Sequence, residues 1–413
     1  MHRVMLMVLL VPLSVAFAGR LPSSSNGKFL SSKLKRDLRR ELAGDVIRVL
    51  ANGAGPGTAL VDISGESLSL GGYHFPAQSP DDVVFVDGWE VVFSELLVTV
   101  DRIWLANNPD LDPSDQSRTG DWVALLTGPW ALDLHKGGPI PGIGGPDEQA
   151  QDFATFRNQN LVPGNPPFDP TVRYAFGYET VPANLDATLV NIDPSQYADY
   201  QYMIDNGMTV LYVGTATWRG TSCQSTDPSF DFSTIPTRVT FRLGWRTPTA
   251  VINCQNPSLP GPGIGGEEHP RGVQFSSSRQ IITQLTIHTD HPFWENFDSD
   301  GPPAHFDQFA AVAQRQPDGS YLVNLENTYR ENYTAFPVPW RWCTPDYTPP
   351  DQLTRMDFEG GRYYDPTLSD PLSSFTSFRD YYDLTSHVQS SQGHLNSNGL
   401  CALQRGFPSL PGF

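Results

Sequence analysis

The sequence lacks the features that mark several common classes of protein. It contains four cysteines, and no two of them stand at the short CxxC spacing that cysteine-based zinc sites use. It contains neither the GxSxG motif of a serine hydrolase nor the HExxH motif of a helix-borne metalloprotease site. After Ala18, no apolar run reaches the roughly 20 residues that a membrane-spanning helix needs. These absences leave a metal-dependent hydrolase as the enzymatic alternative, and they leave open whether the chain is an enzyme at all.

Positive charge is also scarce. The chain has 27 lysines and arginines against 45 aspartates and glutamates, which gives a net charge of -18 at pH 7. Nucleic acids and anionic membranes are polyanions, and they bind basic surfaces. We therefore expect no nucleic-acid partner. An acidic surface suits solubility outside the cell.

The N-terminus predicts export. Val4 to Val15 form a short apolar run, and Ala16-Phe17-Ala18 supplies the small-x-small pattern that signal peptidase recognises, so residues 1–18 are predicted to be a cleavable signal peptide. The mature protein is then expected in the periplasm, outside the cell or on its surface. Four cysteines in such an oxidising compartment favour two disulfides, and three pairings of Cys223, Cys254, Cys343 and Cys401 are open.

Residues 19–58 are predicted to be a mobile linker followed by an amphipathic helix. The linker GRLPSSSNGKFLSS is polar, and leucines and valines recur at helical spacing between Lys33 and Leu50. The opposite face of this helix is basic, as in helices that lie on a membrane surface, but the helix is short and also carries Asp37, Glu41 and Asp45. A helix that packs on the body of the protein, or an N-terminal spacer, is therefore favoured.

Residues 59–413 are predicted to form a single all-β body, either a β-sandwich or an open barrel. The 37 prolines and 36 glycines disfavour long helices, and many short runs rich in Val, Ile, Phe and Trp are separated by turn residues. Two similar Gly/Pro segments predict long loop insertions near 137–170 and 255–272. A few short peripheral helices are expected, around 303–314 and 378–392.

The segment LTIHTDHPFWENFDSDGPPAHF carries the densest group of histidines. His288 and Asp290 alternate at what is predicted to be a strand end, so their side chains leave on one face, and His291 follows at a turn before Pro292. Two imidazoles and a carboxylate this close together suit zinc or copper. His305 follows a short distance on, and His394 lies in QGHLNSNGLC, near Cys401. The predicted metal-binding residues are His288, Asp290, His291, His394 and His305.

Two alternatives remain open beside a transition-metal site. The histidines could only order loops, and the protein would then be a cell-surface binding or structural protein whose aromatic residues recognise a glycan or a protein partner. Calcium is the other candidate cation, because acidic loops at Asn107–Asp121 and Phe297–Gly301 offer carboxylates. Neither loop has the spacing of an EF-hand, so calcium is the less favoured ion.

Four segments resemble parts of exported, largely uncharacterised proteins of myxobacteria. They are DGWEVVFSELLVTVDRIWL, YVGTATWRG, QLTIHTDHPFWENF and GHLNSNGLC. The resemblance covers patches between Asp81 and Cys401. It implies a β-sandwich, and it places His288, Asp290, His291 and His394 inside shared motifs and His305 outside them.

More distantly, the order of strands is similar to that of the periplasmic copper-binding β-sandwich proteins that accompany methanobactin, which implies copper. The cysteine pattern and the insertions of this chain depart from that family. Some copper proteins of this broader type also use an oxidised tryptophan. Trp294 does not match such a position, so no modified residue is carried over.

Overall fold

A computed structural model provides the structure of the chain and describes residues 55–79, 82–145, 147–295, 303–324, 327, 338–345, 347, 363–364, 377–378 and 380–406. The predicted signal peptide and the helix predicted at 33–50 lie outside these residues. Of the described residues, 36% lie in strands and 13% in helices. The strands form large mixed sheets that do not close into a barrel within this part of the chain. The prediction of an all-β sandwich with a few short helices is confirmed.

The strands vary from two-residue pairings to one strand of 18 residues. In chain order they are β1 (Ala59–Ser64), β2 (Trp89–Ala106), β3 (Trp122–Leu126), β4 (Trp130–Asp133), β5 (Ile140–Pro141), β6 (Gln149–Phe156), β7 (Arg173–Thr180), β8 (Thr188–Leu189), β9 (Val210–Trp218), β10 (Gln224–Ser225), β11 (Arg238–Trp245), β12 (Thr249–Ile252), β13 (Val273–Gln274), β14 (Ile281–Ile287), β15 (Gln314–Arg315), β16 (Tyr321–Asn324), β17 (Arg341–Trp342), β18 (Tyr363–Tyr364), β19 (Ser377–Phe378), β20 (Gly393–Leu395) and β21 (Ala402–Arg405).

The helices are short and lie between strands. They are α1 (Glu66–Gly71), α2 (Tyr197–Asn206), α3 (Asp307–Ala311) and α4 (Tyr381–Gln389), with single 3₁₀ turns at Pro194–Gln196, Phe232–Thr234 and His291–Phe293. The helices predicted around 303–314 and 378–392 correspond to α3 and α4. No helix in the described residues is long and apolar enough to cross a membrane.

Two sheets form the body. The larger has 12 strands, eight of which follow the order β15-β16-β11-β9-β2-β7-β12-β21, and β2 is its spine because it pairs with β9, β7, β3 and β4. The smaller has the order β20-β14-β1-β6-β5. In it β1 pairs antiparallel with β6 and parallel with β14, and β14 pairs antiparallel with β20.

The core lies between the inner faces of the two sheets. Val61, Ile63, Leu285 and Ile287 of the smaller sheet belong to the same buried cluster as most of the aromatic residues of β2, β7, β9 and β11. Burial of this apolar surface is the main force that holds the sheets together, at about 25 cal/mol per Å² of area removed from water.

Two segments fold differently from the pattern in their sequence. The run ALVDISGESLSL reads as one strand, but after β1 it turns into α1. The span predicted as a loop insertion near 137–170 contains β6, the direct neighbour of β1. The polar sequence of β6, QAQDFATF, has no run rich in Val, Ile or Thr that would mark it as a strand. It forms a strand because it pairs with β1.

All four cysteines form disulfides, Cys223–Cys343 and Cys254–Cys401. The expected two disulfides are confirmed, and they fit an oxidising, exported environment. Cys254 follows β12 and Cys401 precedes β21, so this bridge lies a few residues from β20.

Removal of the second disulfide by Cys254→Ser with Cys401→Ser is expected to lower the free energy of unfolding by about 2–5 kcal/mol, because the bridge closes a long loop in the unfolded chain. It should also speed hydrogen exchange of the β20 amides. The control, Cys223→Ser with Cys343→Ser, should cost similar stability and leave exchange in β20 unchanged. Equal exchange in the two variants would contradict a local role for the Cys254–Cys401 bridge.

Candidate metal centre

The end of β14 and the start of β20 place two histidines side by side. In the register of the pair, Thr286 lies opposite His394, and His288 is two residues beyond Thr286 on the same face. Gly393 permits the close approach of β20, since a Cβ there would lie 2.5 Å from the Tyr178 hydroxyl oxygen. The chain then turns through Asn396, whose φ of 52° is left-handed, and its side-chain oxygen accepts the Gln284 backbone N–H at 2.8 Å.

His291 joins these two histidines from the 3₁₀ turn that follows β14. Pro292 stands in the first turn, where its missing N–H costs no hydrogen bond, and the turn folds the His291 ring back toward the sheet. Ring centroids are 4.2 Å apart for His288 and His394, 5.2 Å for His288 and His291, and 5.4 Å for His291 and His394. One ligand nitrogen from each ring lies within 4.8 Å of the other two. We call these three residues the histidine cluster.

The hydrogen bonds of His291 indicate its tautomer. The Ser391 hydroxyl lies 2.9 Å from Nδ1 of His291 and donates its one hydrogen to the Val388 carbonyl at 2.7 Å. The hydroxyl must therefore accept from Nδ1–H, which leaves the lone pair on Nε2. Nε2 is buried and has no hydrogen-bond partner in the described structure. It is free to bind an ion.

His394 is 6% exposed, and neither of its ring nitrogens makes a hydrogen bond. Burial lowers its pKa well below the ordinary value, and His288 acts in the same direction, while the nearby Ser391 backbone partly opposes this without completing a bond of normal geometry. Burial likewise lowers the pKa of His291, helped by His288 and His394. Both rings are therefore neutral, as metal ligands must be.

His288 stands at the edge of the cluster and has polar neighbours. Its Nε2 lies 3.2 Å from the Ser397 carbonyl oxygen and 3.6 Å from Oε1 of Glu66, the first residue of α1. Glu66 reaches this place because β1 and β14 run parallel, so that their carboxyl ends meet at one edge of the sheet. Burial raises the pKa of Glu66, and His288 opposes that rise.

Asp290 lies beside the cluster and is not part of the group of converging nitrogens. Its Oδ2 accepts a hydrogen bond from Nε1 of Trp294 at 3.1 Å, and the Trp294 ring lies 3.6 Å, centroid to centroid, from that of His291. Burial raises the pKa of Asp290, against an opposing contribution from His288. This position suits a residue that supports the ligands.

His305, the fifth predicted ligand, lies in a different buried network. Its Nε2 is 2.9 Å from Glu295, and its Nδ1 is 3.8 Å from Asp87. Burial acts to lower the pKa of His305, but the hydrogen bond to Glu295 and the charge of Asp87 outweigh it and raise the pKa. Burial also raises the pKa of Asp87 to about 7. The structure therefore places His305 in an ionic network, apart from the histidine cluster.

The sequence did not point to Glu66 or Ser391 as part of the site. Glu66 is more than 200 residues from His288 in the chain, and Ser391 belongs to the turn after α4. No local signal in the sequence marks Ser391, because the ring that it contacts belongs to His291, 100 residues away in the chain.

Two sets of residues bear on the alternatives to a transition-metal site, the acidic loops and the tryptophans. In the loop Asn107–Asp121, Asp112 accepts from Ser114 and pairs with Arg118, and Asp115 accepts from Ser117, so these carboxylates already have partners. The loop Phe297–Gly301 lies outside the described residues. None of the nine tryptophans is exposed, and Trp89, Trp104, Trp245 and Trp340 are fully buried, so the tryptophans form no exposed row.

No protein-family model matches the chain, and no curated protein and no solved structure matches it either. The geometry of the histidine cluster therefore carries the functional conclusion. The two disulfides and the cluster together describe a protein of an oxidising environment with a group of residues that could hold a metal ion.

The lowered pKa values of His291 and His394 predict a loss of stability in acid. The unfolded chain takes up these two protons near pH 6.5 and the folded chain does not, so the free energy of unfolding should fall as the pH drops below about 6.5. The slope is at most about 1.4 kcal/mol per pH unit for each histidine. Denaturant unfolding across pH should show a shallower slope for His394→Gln than for the unaltered chain. Identical slopes, or an NMR titration midpoint of His394 at 6.5 or higher, would contradict the assignment.

Proposed function

We propose that the protein is an exported metal-binding protein that holds one copper or zinc ion through His288, His291 and His394. The observation that carries this proposal is the convergence of three imidazoles of which two are buried with unpartnered nitrogens. A buried polar atom without a partner costs about 1–3 kcal/mol. A bound ion would supply the missing partner for each ring.

The donor atoms favour a transition metal. Calcium and magnesium take oxygen ligands, whereas neutral imidazole suits zinc and copper. Nitrogens bonded to a tetrahedral ion at 2.0–2.1 Å lie roughly 3.3 Å apart, so nitrogens now within 4.8 Å need a shift of at most about 1.5 Å to close on the ion. Three protein ligands would leave a fourth position for water or another small ligand.

The neighbours of the cluster support the three ligands. Ser391 holds His291 in the tautomer whose Nε2 is free. Hydrogen-bond partners of metal-bound histidines commonly fix the tautomer in this way. We assign Asp290 to this supporting role, and we leave His305 out of the ligand set. The TIHxDH and GHxxxxGxC segments resemble those of exported proteins of myxobacteria. The order of strands is more distantly similar to that of periplasmic copper-binding β-sandwich proteins, and this similarity is the reason to include copper beside zinc.

The purified chain is expected to bind about one copper or zinc ion, measured by elemental analysis after mild metal exposure and removal of free ion. His291→Ala and His394→Ala should each weaken binding by at least about 10–100-fold, since the loss of an outer partner alone has that effect. Isothermal titration calorimetry measures these affinities.

His74→Ala is the control, because His74 is an exposed histidine that is not among the converging residues, and this variant should bind like the unaltered chain. His305→Gln should likewise keep the stoichiometry, although it disturbs a buried network. Absence of stoichiometric copper or zinc from the unaltered chain would end the proposal, and loss of the ion in His305→Gln alone would move the site to the other network.

A further inference from the structure

Two carboxylates next to the histidine cluster have no cationic partner. Glu66 contacts His288 and has two further carboxylates near it, those of Asp290 and Glu148. Asp290 accepts a hydrogen bond from the neutral indole of Trp294. Neither forms an ion pair with a lysine or arginine of the described residues. Several other carboxylates of the described residues have one, as Asp307 has in Arg341 and Glu267 in Arg271.

The backbone holds Glu66 in this position against its own preference. Its φ is 61°, in the left-handed region, which costs a non-glycine residue roughly 1–2 kcal/mol. The Ser64 hydroxyl accepts the Glu66 backbone N–H at 2.8 Å and fixes the turn between β1 and α1. The result is that Oε1 of Glu66 lies 3.6 Å from Nε2 of His288. Strain at a charged residue beside a candidate site is a reason to look for a role in that site.

We infer that Glu66 and Asp290 make the histidine cluster selective for a divalent cation over a monovalent one. The inference rests on the proposed function, and it further specifies which ionic charge the site prefers. Three neutral imidazoles contribute no charge, whereas two carboxylates contribute two negative charges when an ion is present. A divalent ion balances the charges of these two carboxylates, whereas a monovalent ion leaves one of their two negative charges uncompensated in a partly buried place.

The two carboxylates act through their charge and not as ligands. Their oxygens are not among the atoms that converge within 4.8 Å, and Oδ2 of Asp290 is occupied by Trp294. Coulomb energy is proportional to the charge of the ion at a given distance. A carboxylate that acts through space therefore stabilises a divalent ion twice as strongly, in free energy, as a monovalent ion in the same position.

The test compares Zn²⁺ and Cu⁺ binding to Glu66→Gln and Asp290→Asn, both of which remove charge and keep shape. Each should weaken Zn²⁺ binding by about 10–100-fold, the usual effect of an outer partner of a metal ligand. Each should weaken Cu⁺ binding by the square root of that factor, about 3–10-fold. Cu⁺ affinity is measured by competition with a chelator under anaerobic conditions, and Zn²⁺ affinity by calorimetry.

Two controls separate charge from other causes. Glu66→Asp keeps the charge and should keep most of the Zn²⁺ affinity. Glu90→Gln changes a carboxylate of similar exposure that is paired with Arg219, and it should change neither affinity. If Glu66→Gln does not fold, Glu66→Gly takes its place with the same expectation, because glycine adopts the positive φ without strain.

Equal losses of Zn²⁺ and Cu⁺ binding in Glu66→Gln and Asp290→Asn would overturn the inference, as would unchanged binding of both ions. A loss in Glu66→Asp as large as in Glu66→Gln would overturn it too, because it would make Glu66 a direct ligand. In each of these cases the unaltered chain still binds metal and the proposed function stands. An unaltered chain that binds neither ion refutes the proposed function and the inference together.

Discussion

The position of β14 between β1 and β20 is the constraint on which the histidine cluster depends. Side chains alternate across a strand, so Leu285 and Ile287 enter the core between the sheets while Thr286 and His288 leave on the other face. A register shift of one residue would move both apolar side chains out of the core and turn His288 into it. The burial of apolar surface that fixes the register of β14 therefore also fixes the direction of the His288 ring.

The turn after β14 is fixed by the same core. Phe293 is fully buried, and its ring contacts those of Phe85 and Phe309 at centroid distances of 5.1 and 5.6 Å. His291 begins the 3₁₀ turn that Phe293 ends. The buried Phe293 ring therefore also restricts the position of the His291 side chain. On the opposite side, Asn396 and the Cys254–Cys401 disulfide fix the segment that follows His394. Rigid elements thus hold the histidine cluster on the side of β14 and on the side of β20.

The sequence revealed the parts of this arrangement that are local. The alternation of His288 with Asp290, the turn at Pro292 and the nearness of His394 to a cysteine all follow from spacing along the chain. The all-β architecture follows from the many short apolar runs. Glu66 could not be found in this way, because its approach to His288 depends on parallel pairing between strands more than 200 residues apart. The polar strand β6 was missed for the same reason, since its partner β1 is distant in sequence.

The histidine cluster is costly to the folded protein when it holds no ion. His291 and His394 are buried with unpartnered nitrogens, and Glu66 adopts a strained φ next to an unpaired Asp290. Each of these features destabilises the fold by about a kilocalorie per mole or more, and apolar side chains in place of the two buried rings would remove much of that cost. The ionic network around His305 is different, because there most of the charged groups have partners of opposite sign. A network of paired charges can be explained by folding alone. Imidazole nitrogens without a partner beside carboxylates without a cation suggest instead a ligand that can bind the nitrogens and balance the charge. A metal cation meets both, since it accepts the imidazole lone pairs and balances the carboxylates.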